Sequence, residues 1–223
     1  MNKILFGIFL LHFLFLGCRK IDDDNNNNNS NNITSTFDVN TGNFEFNSYT
    51  PLSNKPLTIH FYIPNSVDRK TAPILFVFPG MNRNGLDYLN TWIPISESKG
   101  IMVFSFEFSD YYYPGGNAYQ QGYVLDDNGN LNNEDLWSFS VIEPIFDFIK
   151  NEFDYQNNSY DMFGHSGGAQ FVHRYVTFKS NARINRAVSA NSGWYTVPDT
   201  TVTFPYGLEL TGLTINKVQS AFN

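Results

Sequence analysis

The chain has 223 residues, of which 42% are hydrophobic, and a formal net charge of -7. This length and apolar content suit one globular domain and leave no room for two complete catalytic domains. Its 14 basic residues against 21 acidic ones supply no cationic surface for phosphate backbones, so nucleic acid is not expected as a partner. The single cysteine excludes an intramolecular disulfide.

The N-terminus has the pattern of a signal peptide over residues 1–17. Lys3 precedes an apolar stretch that is too short to span a bilayer comfortably, and Gly17 stands directly before Cys18. This junction resembles the lipobox of bacterial lipoproteins, although Phe15 stands where that motif usually has leucine. The resemblance implies that Cys18 is lipidated and anchors the protein at the bacterial outer membrane or cell surface. An ordinary secretory signal with an incidental cysteine is the alternative.

Residues 18–35 are polar and of low complexity, with three aspartates followed by a run of asparagines. Such a tract cannot bury enough apolar surface to offset its chain entropy. We expect a disordered tether here, joining the anchored cysteine to a folded domain over residues 36–223.

Strand and helix patterns alternate along the folded part. An alternating segment from Leu57 to Ile63 predicts an antiparallel strand near a sheet edge. Continuous apolar runs predict strands buried on both faces at 73–78, 101–106 and 184–190, with a shorter strand at 160–163. Helices are predicted at 86–99, 136–153 and 167–178, and a last one near the end of the chain. This order predicts an α/β fold with a mainly parallel sheet and helices on both faces.

A catalytic motif stands between the strand at 160–163 and the helix at 167–178. Gly164, His165, Ser166, Gly167 and Gly168 form a G-x-S-x-G sequence, and a strand before it and a helix after it are the context of a nucleophile elbow. The turn requires glycine at its flanks, and the N-terminus of the following helix favours a developing oxyanion. The motif predicts Ser166 as a nucleophile; a structural glycine turn is the alternative.

An oxyanion hole needs a second donor, which normally comes from the loop after the third strand of this fold. The loop at 78–84 fits, because Gly80 lets the backbone approach a substrate carbonyl closely. We predict that the Met81 N–H pairs with the Gly167 N–H in this role. A plain Pro-Gly turn is the alternative.

With these motifs the chain resembles the α/β-hydrolases, and within them the lipoprotein and secreted esterases related to polyhydroxybutyrate depolymerases and feruloyl esterases. The resemblance runs from about Leu57 to Leu213 and also rests on Tyr113-Pro114-Gly115, Ile142-Glu143-Pro144 and Asn191-Ser192-Gly193-Trp194-Tyr195. Similar members often have His-Gly where this chain has Pro79-Gly80, which leaves the backbone donors intact. The resemblance implies a serine esterase acting on a small-molecule ester or a carbohydrate-linked ester.

The triad of this fold has the order Ser, then Asp or Glu, then His. The four histidines are His12, His60, His165 and His173. The first lies in the signal peptide, the second on an early strand and the third inside the elbow. The fourth follows Ser166 by two helical turns, where a packed or solvated side chain is expected. None is placed to be the general base, and Asp199 is a candidate acid whose alternative is a turn role.

The resembling family places its acid after a strand that would begin beyond Asn223. We therefore expect a C-terminally truncated hydrolase that lacks the last strand or strands and is inactive or weakly active in this form. No cofactor is expected, and no metal either, because the sequence has neither a cysteine pair nor a His-x-x-x-His spacing.

A second class of function is a non-catalytic surface lipoprotein that keeps the hydrolase fold and binds ligands or glycans. Four tyrosines lie within nine residues, at Tyr111, Tyr112, Tyr113 and Tyr119. Such rings suit stacking on sugars or phenols. A loop folded back on the core is the other interpretation.

Overall fold

The computed structural model describes residue 37 and residues 40–220. Within them one six-stranded sheet has the order β1-β2-β4-β3-β5-β6. Its strands are β1 (Thr41–Phe46), β2 (Leu57–Tyr62), β3 (Ile74–Phe78), β4 (Met102–Glu107), β5 (Tyr160–His165) and β6 (Ile184–Ala190). The helices are α1 (Gly85–Lys99), α2 (Gly115–Ala118), α3 (Ile142–Phe153), α4 (Gly167–Phe178) and α5 (Ile215–Ser220). The predicted signal peptide, the tether and Cys18 lie outside the described residues.

The sheet is mixed, with a parallel centre and an antiparallel edge. Strands β4, β3, β5 and β6 run parallel, joined by the crossover helices that the alternating pattern predicts. Strand β2 pairs antiparallel with both β1 and β4, which confirms the antiparallel strand predicted near the edge. The α/β class and the mainly parallel sheet are therefore confirmed.

Strand β3 is buried on both faces, as its uninterrupted apolar run indicates. Phe76 and Phe78 point to the side where α3 and α4 pack, and Phe78 stacks on Phe171 of α4 at 4.6 Å between ring centroids. Leu75 and Val77 point the other way, into a second apolar cluster with α1. The end of β3 is thus held from both sides, and the loop that follows it starts from a rigid support.

A half-buried carboxylate links the elements around β5. Glu143 of α3 accepts hydrogen bonds from the hydroxyls of Tyr160 at 2.5 Å and Tyr175 at 3.2 Å. It also pairs with the guanidinium of Arg183 at 2.5 Å, directly before β6. The network ties α3, β5 and α4 together and so positions the turn between β5 and α4.

Two predicted elements differ from the structure. Strand β6 is exposed along much of its length, with Val188 52% accessible, because in the described part of the chain it pairs only with β5. The helix predicted at 136–153 begins at Ile142, after 3₁₀ turns at Glu134–Leu136 and Ser138–Val141. Pro144 then falls in the first turn, where its missing N–H has no intrahelical partner to lose.

Candidate active site

The turn between β5 and α4 has the geometry of a nucleophile elbow. Ser166 has φ 54° and ψ -114°, a backbone conformation that L-residues rarely adopt. A Cβ on Gly164 would overlap the carbonyl of Gly168, and a Cβ on Gly168 would overlap the carbonyl of Phe78. The Ser166 N–H donates to the carbonyl oxygen of Ala190 at 2.9 Å. The surrounding packing therefore imposes the strained conformation that raises Ser166 at the end of the strand.

The loop after β3 lies against this turn. The position of a Cβ on Gly80 is 3.6 Å from the Cβ of Ser166, and that of a Cβ on Gly167 is 3.1 Å from the Met81 nitrogen. Within the described residues the Met81 N–H has no hydrogen-bond acceptor. The Gly167 N–H opens α4 and has no intrahelical acceptor. The structure thus brings the three residues predicted for nucleophile and oxyanion hole together.

Arg83 holds the loop after β3 in place. It is buried with φ 52°, and its guanidinium donates to the carbonyls of Phe108 at 3.0 Å and Gly115 at 2.7 Å. Burial lowers the pKa of Arg83. From the same side, the Tyr119 hydroxyl donates to the Pro79 carbonyl at 2.7 Å. This role of Arg83 is not predictable from local sequence, because its partners lie 25 or more positions along the chain.

The tyrosine-rich segment is partly folded into the core. Tyr113 and Tyr119 are buried, and burial raises the pKa of both hydroxyls. Tyr111 is 83% exposed and Tyr112 is half-buried. Two of the four rings are therefore packing residues, and they are not available for stacking on a ligand.

The three described histidines form contacts with residues other than Ser166. His60 contacts Glu107 at 2.9 Å, and His165 Nδ1 lies 2.7 Å from the Tyr88 hydroxyl. His173 contacts the Ala169 carbonyl through Nδ1 at 2.9 Å, and its Nε2 accepts the Thr196 N–H at 3.1 Å. In the part of the chain that the structure describes, no histidine hydrogen-bonds to the Ser166 hydroxyl. His173 has the packed role expected of it.

His173 makes a pH-dependent contribution to stability. Its burial and the neighbouring Arg174 lower the His173 pKa from 6.5 to about 4. As the pH falls from 6.5 to 4, the unfolded chain takes up this proton before the folded one, so folding loses ~3 kcal/mol across that window. Urea unfolding at several pH values should show that His173→Gln lacks this part of the loss. An identical pH slope in the two proteins would contradict the assignment.

Asp199 occupies an exposed turn. Its carboxylate accepts the Thr201 N–H at 2.8 Å and the Thr201 hydroxyl at 2.7 Å, and these bonds lower its pKa. Among the described residues it contacts no histidine, so the geometry shows the turn role that was its alternative. In the same range, no three His, Cys, Asp or Glu side chains converge as metal ligands would. The helices in that range are also too short or too polar to cross a bilayer.

The topology of the sheet and the strained serine between β5 and α4 define the class of protein: the chain belongs to the α/β-hydrolase family. It is 36% identical to poly(aspartic acid) hydrolase-1 from Sphingomonas sp. KT-1, with a TM-score of 0.76 over 81% of this chain and 67% of that one. It is 29% identical to LpqC, a poly(3-hydroxybutyrate) depolymerase from Bordetella parapertussis, with a TM-score of 0.76 over 81% of this chain. No protein-family model and no curated protein matches it. The chain spans 61% of the length of the depolymerase.

Proposed function

We propose that the protein is a serine carboxylic ester hydrolase. The Ser166 Oγ attacks the ester carbonyl carbon, the carbonyl π electrons move to oxygen, and the oxyanion accepts hydrogen bonds from the Met81 and Gly167 N–H groups. The Ser166 proton passes to a base and from it to the departing oxygen as the intermediate collapses and the alcohol leaves; water then adds to the acyl-enzyme, and its collapse releases the acid and restores the Ser166 hydroxyl. The observation that carries the proposal is the strained Ser166 beside two free backbone donors. The hydrolase names of the two relatives support it.

The proton of Ser166 has no acceptor at hand in the described residues. A neutral serine hydroxyl is a weak nucleophile, and loss of the histidine of a triad costs several orders of magnitude in rate. We therefore propose that the 223-residue chain is inactive or weakly active by itself. Dissolved imidazole should raise its rate of ester hydrolysis, because imidazole is the basic group of a histidine side chain and here comes from solution.

The proposed substrate is an uncharged ester, of a small alcohol or of a carbohydrate hydroxyl. The names of the two relatives offer two substrate classes, a polyester and a polymer of aspartic acid. At neutral pH the second carries a negative charge on every unit. A net charge of -7 repels such a polyanion at long range, which favours the ester.

A fluorophosphonate probe tests the role of Ser166. In the presence of imidazole we expect the probe to modify the peptide that contains Ser166, and to modify it much more slowly without imidazole. Mass spectrometry of the digested protein locates the adduct. Ser166→Ala should lose it, whereas Ser180→Ala, which changes an exposed serine after α4, should keep it. Modification of another residue at the same rate would contradict the proposal.

We also propose that Cys18 is lipidated and that residues 18–35 tether the hydrolase domain at residues 36–223 to the bacterial outer membrane or cell surface. A cysteine carrying several acyl chains binds membranes firmly. In a Gram-negative host, Cys18→Ala should move the protein from the membrane fraction to the soluble one. Equal membrane association of variant and parent would contradict this anchor.

A further inference from the structure

The side-chain amide of Gln120 lies beside Gly167, the residue that follows Ser166. The residue is 5% exposed, and its Nε2 lies 3.2 Å from the position of a Cβ on Gly167. That same position is 3.1 Å from the Met81 nitrogen. The Met81 Cγ is 3.2 Å from it as well, so a backbone donor and a side-chain donor lie close together against Gly167, which has no side chain of its own there.

The amide of Gln120 is not satisfied by the described part of the protein. Its Nε2 makes no hydrogen bond to a described residue, and its Oε1 is buried without a hydrogen-bond partner on the opposite side, 2.9 Å from the position of a Cβ on Gly116. An amide N–H without an acceptor is free to donate a hydrogen bond to a bound ligand. The position of Nε2 next to Gly167 places this free donor on the same side as the Met81 nitrogen.

The backbone around Gln120 is held from both sides. The guanidinium of Arg83 lies over the Tyr119 ring at 5.1 Å, and the Tyr119 hydroxyl bonds to the loop after β3. On the other side, Arg174 Nη1 donates to the Gln120 carbonyl at 2.8 Å. These contacts fix the Gln120 backbone relative to the loop after β3 before any substrate binds, and a fixed backbone is the support that an efficient donor requires.

Arg174 also adds a positive charge behind the site. It is fully buried and pairs with no carboxylate among the described residues; burial lowers its pKa to about 10, so it stays charged at neutral pH. Its hydrogen bonds go to neutral oxygens, including the Gln120 carbonyl. Arg174 therefore holds the Gln120 backbone through a charge-assisted hydrogen bond, which is stronger than a neutral one.

We propose that Gln120 is a third donor of the oxyanion site, through an Nε2–H bond to the acyl oxygen of the substrate. The proposal rests on the ester hydrolase function above. Gln120 neither gives up nor takes a proton in this role. As Ser166 adds to the carbonyl carbon, charge accumulates on the acyl oxygen, and the three hydrogen bonds strengthen together.

The test compares Gln120→Met with Gln121→Met, a change of the same kind at the neighbouring half-buried position. The measured quantity is the imidazole-dependent hydrolysis of p-nitrophenyl acetate by the full chain. Loss of one oxyanion donor should lower kcat/KM by about 10- to 100-fold in Gln120→Met, chiefly through kcat. Gln121→Met should keep the parent rate, and thermal melts show whether both variants fold.

A second variant separates hydrogen bonding from packing. Gln120→Glu has the same shape, but its carboxylate cannot donate; once protonated it donates again. The ratio of its rate to the parent rate should therefore rise as the pH falls, and the ratio for Gln120→Met should stay flat. A Gln120→Met protein with the parent rate, or a flat ratio for Gln120→Glu, would overturn the proposal.

Ser166→Ala distinguishes a failure of the third-donor proposal from a failure of the ester hydrolase proposal. If it abolishes the reaction while Gln120→Met does not slow it, the third donor is wrong and the ester hydrolase function stands. If Ser166→Ala leaves the imidazole-dependent rate unchanged, the proposed function and the third donor both fall.

Discussion

Replacing Ser166 with alanine is expected to reduce ester hydrolysis in imidazole to the rate of the imidazole solution alone, a loss of at least ~100-fold. Alanine removes only Oγ, and it keeps the backbone donors of Met81 and Gly167. Attack by water would have to replace covalent attack, without a positioned nucleophile. The measurement is the initial rate with p-nitrophenyl acetate at several imidazole concentrations.

Ser180→Ala is the matched control for this loss, because it deletes one exposed hydroxyl outside the elbow. It should match the parent at every imidazole concentration. Equal rates for the parent and Ser166→Ala would remove Ser166 from the mechanism.

Gly168→Ala is expected to destabilise the fold by about 3 kcal/mol or more, as overpacking in a rigid core does. The added Cβ would overlap the carbonyl of Phe78, which is backbone and cannot rotate away. Relief requires α4 to move from β3, which would disrupt the stack of Phe78 on Phe171. Urea unfolding measures the loss.

Gly193→Ala is the control for this change. The nearest atom to its new Cβ is the Gln170 Nε2 at 3.3 Å, the end of a flexible side chain, so its stability should stay within about 0.5 kcal/mol of the parent. If Gly168→Ala and Gly193→Ala have the same free energy of unfolding, the elbow is not packed as the structure shows.

Local sequence patterns predicted most of the fold. The apolar run of β3 and the Gly100 stop of α1 are decided within a few residues, and both were predictable. The exposure of β6 was not, because a run such as Ile184–Ala190 looks the same at the centre of a sheet as at its edge. Strand β1 was missed because it follows a polar tract and has only two apolar residues, Phe44 and Phe46, to mark its alternation.

The candidate site likewise has residues that the sequence predicts and residues that it does not. The elbow and the loop after β3 are contiguous motifs, so Ser166, Met81 and Gly167 could be named from the sequence. Gln120 and Arg174 could not, since their hydrogen bond joins residues 54 positions apart. Arginine and glutamine are also residue types that are usually exposed, so the sequence gives no sign that these two side chains are buried.

Trapping of an acyl-enzyme tests the central claim most directly. The parent chain is mixed with p-nitrophenyl acetate and imidazole, quenched in acid during turnover and digested for mass spectrometry. The account predicts an acetyl group on the peptide that contains Ser166, absent from Ser166→Ala and decreased in Gln120→Met. Rapid imidazole-dependent hydrolysis with the acetyl group on another residue, and none on Ser166, would contradict it.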